Sequence, residues 1–302
     1  MVMVTRCHAV AIALLLAAAI TLAACGRGGG AARPAGSATS GAAGARPERI
    51  VPVPKSVLAA AVPQPSGTMW TLAGSPQSRK LFEVELPGGQ VVGSVPVSSA
   101  TEAVTQSLTG LIGLALATRS GGALELLDGA TAKVIRTVHL AAPARDVVIG
   151  SDGTTFYVLT GTAAHSTVTV VNSQNGRVRG TIPVPPGTVS LAPDVQQTVL
   201  YGLQSDGRVS EISMVGGNIM AGFVVGGAGR SLALSPDGST LYALKDVAGA
   251  ANVAVVNVAT ESVRRVLPAP AHCREVLVSA SGSQLYEVVG TADYGNIQVF
   301  AA

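Results

Sequence analysis

Arginine recurs at one place in this chain. Arg145, Arg230 and Arg274 each stand eight residues before a turn glycine (Gly153, Gly238 and Gly282), and Glu102 takes the same place before Gly110. A guanidinium is a planar fork of donors matched to carboxylate and phosphate. Three of them brought together would make a site for an anion or an acidic peptide, and His272 stands beside Arg274. Like charges so gathered repel unless they are paired. Asp146 and Glu275, each following one of the arginines, are the candidates for pairing.

The remaining reactive side chains point to no reaction. His139, His165 and His272 are far apart in sequence and read as exposed loop residues. Cys273, at the start of an apolar strand, reads as a small core residue rather than as a metal ligand with His272. Asp152, Asp194 and Asp237 sit in turns, where an aspartate caps its own backbone. Gly-x-Ser-x-Gly, His-Glu-x-x-His, Cys-x-x-Cys and phosphate-loop patterns are all missing from the sequence. "GGAGRS" (Gly226–Ser231) joins two strands instead of opening a helix, so it lacks the free amides that hold phosphate. Trp70 is the one tryptophan. No catalytic residue, metal site or cofactor is assigned, and the expectation is of a binding module.

The elements that must position the arginines repeat. Turn positions at Gly67, Gly110, Gly153, Gln196, Gly238 and Gly282 are spaced by 42 to 44 residues. A second strand centres on Trp70, Leu114, Tyr157, Tyr201, Tyr242 and Tyr286. A third begins at Leu81, Leu124, Val168, Val209, Val253 and Ile297, and a fourth at Val91, Val134, Val178, Ile219 and Val263. The fourth strand has five copies where the others have six. "RIVPV" (Arg49–Val53) supplies the sixth, because Val51 precedes Val95 by one period. Four-stranded antiparallel sheets repeated in this way predict an all-β propeller with six blades, closed by the N-terminal strand. Seven blades remain the alternative if one is hidden between Lys55 and Gly110. In such a ring Arg145, Arg230 and Arg274 begin innermost strands, so they are expected to converge with His272 on one mouth of the central channel.

"LSPDGSTLYALKDVAGAANVAVVNVATESVRRVL" (Leu234–Leu267) resembles the YVTN-type propeller repeat in its Ser-Pro-Asp-Gly turn, the Leu-Tyr that follows, its "VNVAT" and its "SVRRV". The resemblance extends over Arg49–Ala302 and implies the propeller fold. The family's roles are diverse, including surface proteins, lipoproteins and relatives of lactone-hydrolysing or quinone-dependent propellers. It therefore leaves a lactonase-like hydrolase or a quinone-dependent oxidoreductase as the alternative to a binding module.

Composition agrees with a turn-rich β protein: 36 Gly and 17 Pro in 302 residues, with 12% charged and 3% aromatic residues. The net charge of +3 comes without any basic run interleaved with aromatics, which excludes a nucleic-acid surface. Arg6 and the apolar Ala9–Ile20 read as an export signal. "LAAC" (Leu22–Cys25) is similar to a lipobox, at which bacterial lipoproteins are cleaved and lipidated. The Gly- and Ala-rich stretch behind it has too little apolar surface to fold, and as a tether it would span roughly 25 Å. The expected organisation is a signal peptide over 1–24, a lipidated Cys25 with its linker over 25–46, and a propeller over 47–302. The expected protein is a monomer, held by palmitate-type lipid to the outer face of the cell membrane, whose partner is an acidic protein or an anionic small molecule.

Overall fold

The computed structural model describes residues 46–63, 67–86 and 88–302. The export signal, Cys25 and the linker up to residue 45 lie outside the described residues. A short strand, β1 (Arg49–Pro52), comes first, and five complete blades follow. The first holds β2 (Val57–Ala60), β3 (Thr68–Ser75), β4 (Ser78–Glu85) and β5 (Gln90–Val97), and the second holds β6 (Thr101–Gln106), β7 (Leu111–Thr118), β8 (Gly121–Asp128) and β9 (Lys133–Leu140). The third comprises β10 (Ala144–Ile149), β11 (Thr155–Gly161), β12 (Ser166–Asn172) and β13 (Arg177–Pro183). The fourth comprises β14 (Thr188–Pro193), β15 (Val199–Gln204), β16 (Arg208–Ser213) and β17 (Ile219–Val224). The fifth holds β18 (Ala228–Leu234), β19 (Thr240–Val247), β20 (Ala250–Asn257) and β21 (Ser262–Pro268). The last has β22 (Cys273–Val278), β23 (Gln284–Gly290) and β24 (Gly295–Ala301).

The sixth sheet is completed by β1, which pairs antiparallel with β24, setting Arg49 opposite Val299 and Val51 opposite Ile297. The described residues thus form a six-bladed β-propeller. The region between Lys55 and Gly110 contains one ordinary blade and the start of the next, so the seven-bladed alternative is removed.

Each blade presents Val, Leu, Ile and aromatic residues to both neighbours, and the core lies in these seams. Leu124, Leu126, Val147, Phe156 and Val158 fill one of them. Phe156 fits there because Gly113 has no side chain: a Cβ on it would overlap the Phe156 ring. Val51, Val84, Val288 and Val299 fill the closing seam. Trp70 is a buried member of the seam between the first and second blades.

The meander makes two rims. On the first, connectors between blades meet the hairpins that join second to third strands, as where Ser56 N donates to Thr291 O (2.8 Å) and Gly187 N to Ala163 O (2.6 Å). On the second, the innermost turns meet the hairpins that lead to the outer strands: Gly129 N donates to Gly110 O (2.9 Å) and Ser173 N to Thr154 O (2.8 Å). The chain arrives at residue 46 on this second rim.

Turn aspartates cap as expected. Asp152 accepts from Thr154 N and Thr155 N, both at 2.8 Å, and Asp237 accepts from Ser239 N at 3.0 Å. One turn position differs from the expectation. Gln197 rather than Gln196 takes the left-handed place that glycine holds in the other blades, with φ of 55°. The turn has the same length as the others, with Gln197 N bonded to Asp194 O as Gly238 N is to Ser235 O, so the fourth repeat lies one residue later than the spacing implied, and Asp194 accepts from Thr198 N and Val199 N across the turn.

Candidate functional site

In all six blades the pairing of the innermost strand with the second slips by one residue near its start. A bulge leaves one residue without a partner and re-aims two neighbouring side chains. The skipped residues are Leu58, Glu102, Arg145, Val189, Arg230 and Arg274. The recurring arginines are therefore bulge residues.

Their heads turn to the rim and to the blade seams. Arg145 Nη2 donates to Ser166 Oγ (2.7 Å), to Thr162 O (3.4 Å) and, across the seam, to Thr188 O (3.3 Å). Arg230 makes the equivalent seam bond to Cys273 O (3.3 Å) and forms an ion pair with Asp246. Arg274 Nε donates to Gly290 O of its own blade (3.0 Å). Glu102 pairs with Arg79 of the preceding blade at 3.2 Å. His272 is exposed, with φ of 65°, and His139 and His165 are exposed as well. None of the three arginines, nor His272, is among the residues lining the channel cavity.

Four of the six residues that follow a bulge are polar, and these four line the lumen instead. Asp146 Oδ2 accepts from Leu191 N of the next blade at 3.0 Å, while its Oδ1 accepts from Val147 N at 2.9 Å. Ser190 Oγ accepts from Leu232 N (3.1 Å), Ser231 Oγ from Val276 N (3.2 Å), and Glu275 Oε2 from Ala60 N (2.8 Å). These side chains form a belt in which each blade binds an amide of the next. Ala59 and Ala103 interrupt it at the remaining two junctions. The belt surrounds a cavity of about 210 Å³ to which the innermost strands of all six blades contribute.

The lumen reaches Asp146 and Glu275, but protein crowds them on every other side. Burial pushes the Asp146 carboxyl up to about 6 despite the amides it accepts from. Burial, reinforced by the Asp146 charge, pushes Glu275 up to about 8 against the bond from Ala60. Of the two lumen acids, Glu275 thus holds its proton more tightly than Asp146. A third acid, Glu287, is buried in the second strand of the last blade, and burial raises it to about 7. It lies near Cys273, whose thiol is buried and held above its ordinary range by that burial, with the Glu287 charge adding to the effect.

Sequence reading placed the arginines in the right strands but missed the belt. Its signal was a polar residue at 146, 190, 231 and 275, in strands otherwise apolar enough to be buried.

Charges outside the lumen divide by rim. The first rim carries Lys55, Arg119, Arg145 and Arg274, none of which has an ion-pair partner among the described residues, together with the pairs Arg79–Glu102, Arg208–Asp206 and Arg230–Asp246 and one exposed acid, Asp293. The second rim carries Asp128, Asp152, Asp194, Asp237 and Glu261. No group of three or more metal-ligating side chains occurs among the described residues, and no helix there is long and apolar enough to cross a membrane.

No protein-family model matches this chain, and no curated protein matches it. Among solved structures it is similar to the Kuenenia stuttgartiensis hydrazine synthase, with a TM-score of 0.64 and 15% identity over 81% of this chain and 83% of the other. At that identity the likeness speaks for the propeller fold alone.

Proposed function

We propose that this protein is an exported, lipid-anchored propeller that binds an acidic partner on its first rim, acting as a scaffold outside the cytoplasmic membrane. The observation that carries this reading is the surplus of cations on that rim, where Lys55, Arg119 and Arg274 stand exposed without carboxylate partners among the described residues. The lumen supports it from the other side. Asp146, Ser190, Ser231 and Glu275 are each engaged with a neighbouring blade's amide, so the polar groups of the channel hold the ring together. The similarity of Leu22–Cys25 to a lipobox supplies the anchor. The described chain begins on the second rim, so a tether from Cys25 would join the propeller on the rim opposite the cationic one.

The test is capture by immobilised poly-glutamate and by proteins co-purified with the native lipoprotein. Wild-type capture should fall as salt rises, since exposed charges are screened beyond about 8–10 Å at physiological ionic strength. Changing Lys55, Arg119 and Arg274 together to Gln should abolish capture and flatten the salt dependence. Undiminished capture by the folded triple variant would refute the rim site. Cys25→Ser should separately prevent incorporation of a fatty-acid probe, and labelling that persists would refute the anchor.

The alternative, a propeller hydrolase, would rest on Asp146 and Glu275, two acids in one lumen whose proton affinities differ as those of an acid–base pair do. Turnover of lactone or ester substrates that is lost in Asp146→Asn would favour it over the scaffold.

A further inference from the structure

The lumen carries charge of one sign. Its innermost strands adjoin in the order β2, β6, β10, β14, β18, β22 and back to β2, which sets β10 and β22 on opposite sides of the ring. Asp146 on β10 and Glu275 on β22 therefore oppose each other across the channel, with Ser190 and Ser231 along one arc between them. No lysine, arginine or histidine is among the described residues that line the cavity. Glu275 Oε2 is taken by Ala60 N, while Oε1 accepts from none of the described residues.

The cavity lies on one side of this belt. Its lining reaches Ile149, Pro193, Leu234 and Val278, the second-rim ends of their strands, and takes in nothing on the first-rim side of the four polar residues. Most of the wall beyond the belt is Ala, Val, Leu and Ile. A second polar group stands at the far end. Gln106, the last residue of β6, lines the cavity and is 7% exposed, and its Oε1 is buried with no hydrogen-bond partner. It lies three residues past the belt-level Ala103, about 10 Å along the strand. A buried acceptor left bare is unfavourable and marks a place for a donor. The turns beyond that end carry Asp152, Asp194 and Asp237, and negative charge around a mouth concentrates cations there.

We propose that the lumen is a binding site for a short aliphatic diamine, with one ammonium between Asp146 and Glu275, the methylene chain along the apolar wall and the second nitrogen donating to Gln106 Oε1. Charge makes the choice of ligand. An anion would meet two acids and no base, and a neutral molecule would leave both acids without a counter-charge. A metal ion would find too few ligands, since the described residues hold no group of three that could bind one. Size limits the chain: the cavity of about 210 Å³ is somewhat larger than the roughly 150 Å³ that accepts benzene, which suits a diamine of about five carbons.

Calorimetric titration of the full-length protein in detergent with cadaverine, n-pentylammonium and 1-pentanol tests the inference. Cadaverine should bind saturably, n-pentylammonium more weakly, and 1-pentanol not at all. Glu275→Gln keeps an acceptor for Ala60 N and should raise the dissociation constant of cadaverine roughly tenfold or more. Asp146→Asn gives a second reading on the same ammonium site should the first variant fold poorly. Gln106→Leu should bring cadaverine down to the affinity of n-pentylammonium and leave n-pentylammonium unchanged. A wild type that does not bind cadaverine overturns the inference. So does binding that survives both acid variants, or a cadaverine affinity that n-pentylammonium or 1-pentanol equals.

Discussion

Glu275 carries into the folded ring a proton that the unfolded chain releases. Its carboxyl rises from an ordinary value near 4.5 to about 8, first because of burial and then because of the Asp146 charge. Between those two values the native state binds more protons, so the group's contribution to stability is whole below the unfolded value and is lost as pH rises through 8. Glu275→Gln keeps an acceptor for Ala60 N and removes the titration. Thermal melts across pH should show the variant close to wild type near pH 5 and more stable than it near pH 9. Ser231 offers an uncharged comparison in the same belt. Ser231→Ala removes the hydroxyl that accepts from the Val276 amide, and should cost about 1 kcal/mol at every pH in denaturant titrations.

At the level of elements, β1 is the clasp. Removing residues 46–52 would strip β24 of its partner, open the sixth blade and expose Val299 and Ile297 in the closing seam. The expected outcome is a large fall in melting temperature with aggregation, and an unchanged melt would refute the closure. Val51→Ala gives a graded version: Val51 is 1% exposed, and its loss of two methyl groups should cost about 2 kcal/mol in denaturant unfolding. The hairpins leading to the outer strands share a second requirement. Their left-handed residue is glycine at Gly89, Gly176 and Gly217 but Ala132 and Glu261 in the second and fifth blades, with φ of 52° and 50°. Ala132→Gly should stabilise by about 0.5–1 kcal/mol, the cost of that conformation for a residue with a Cβ less the extra freedom glycine has when unfolded.

For the whole molecule, three buried acids act in one direction. Asp146, Glu287 and Glu275 bind their protons more tightly in the ring than outside it, with values of about 6, 7 and 8. Stability should therefore be greatest on the mildly acid side and decline as pH climbs from about 5 to 9, with Glu275→Gln removing the most alkaline part of the decline. Calorimetry across that range checks it, and a flat profile would mean that these carboxyls are not held as the geometry indicates. The ring itself was legible in the sequence. Strand alternation and turn chemistry are local, so repeats spaced by 42 to 44 residues revealed six blades, and the extra copy at Arg49–Val53 revealed the closing strand. Spacing placed the fourth turn at Gln196 instead of Gln197, because the hairpins between second and third strands differ in length from blade to blade, so the period is not constant. The direction of Arg145, Arg230 and Arg274 was not legible. It depends on a one-residue slip against the neighbouring strand, and that slip sends the guanidinium to the rim and the following side chain into the lumen. The belt joins groups 42 to 215 residues apart in sequence, as from Ser190 to Leu232 and from Glu275 to Ala60. Packing of consecutive blades brings Ser190 to Leu232, only closure of the ring brings Glu275 to Ala60, and only in the folded ring is the Glu275 carboxyl buried enough to hold its proton more tightly.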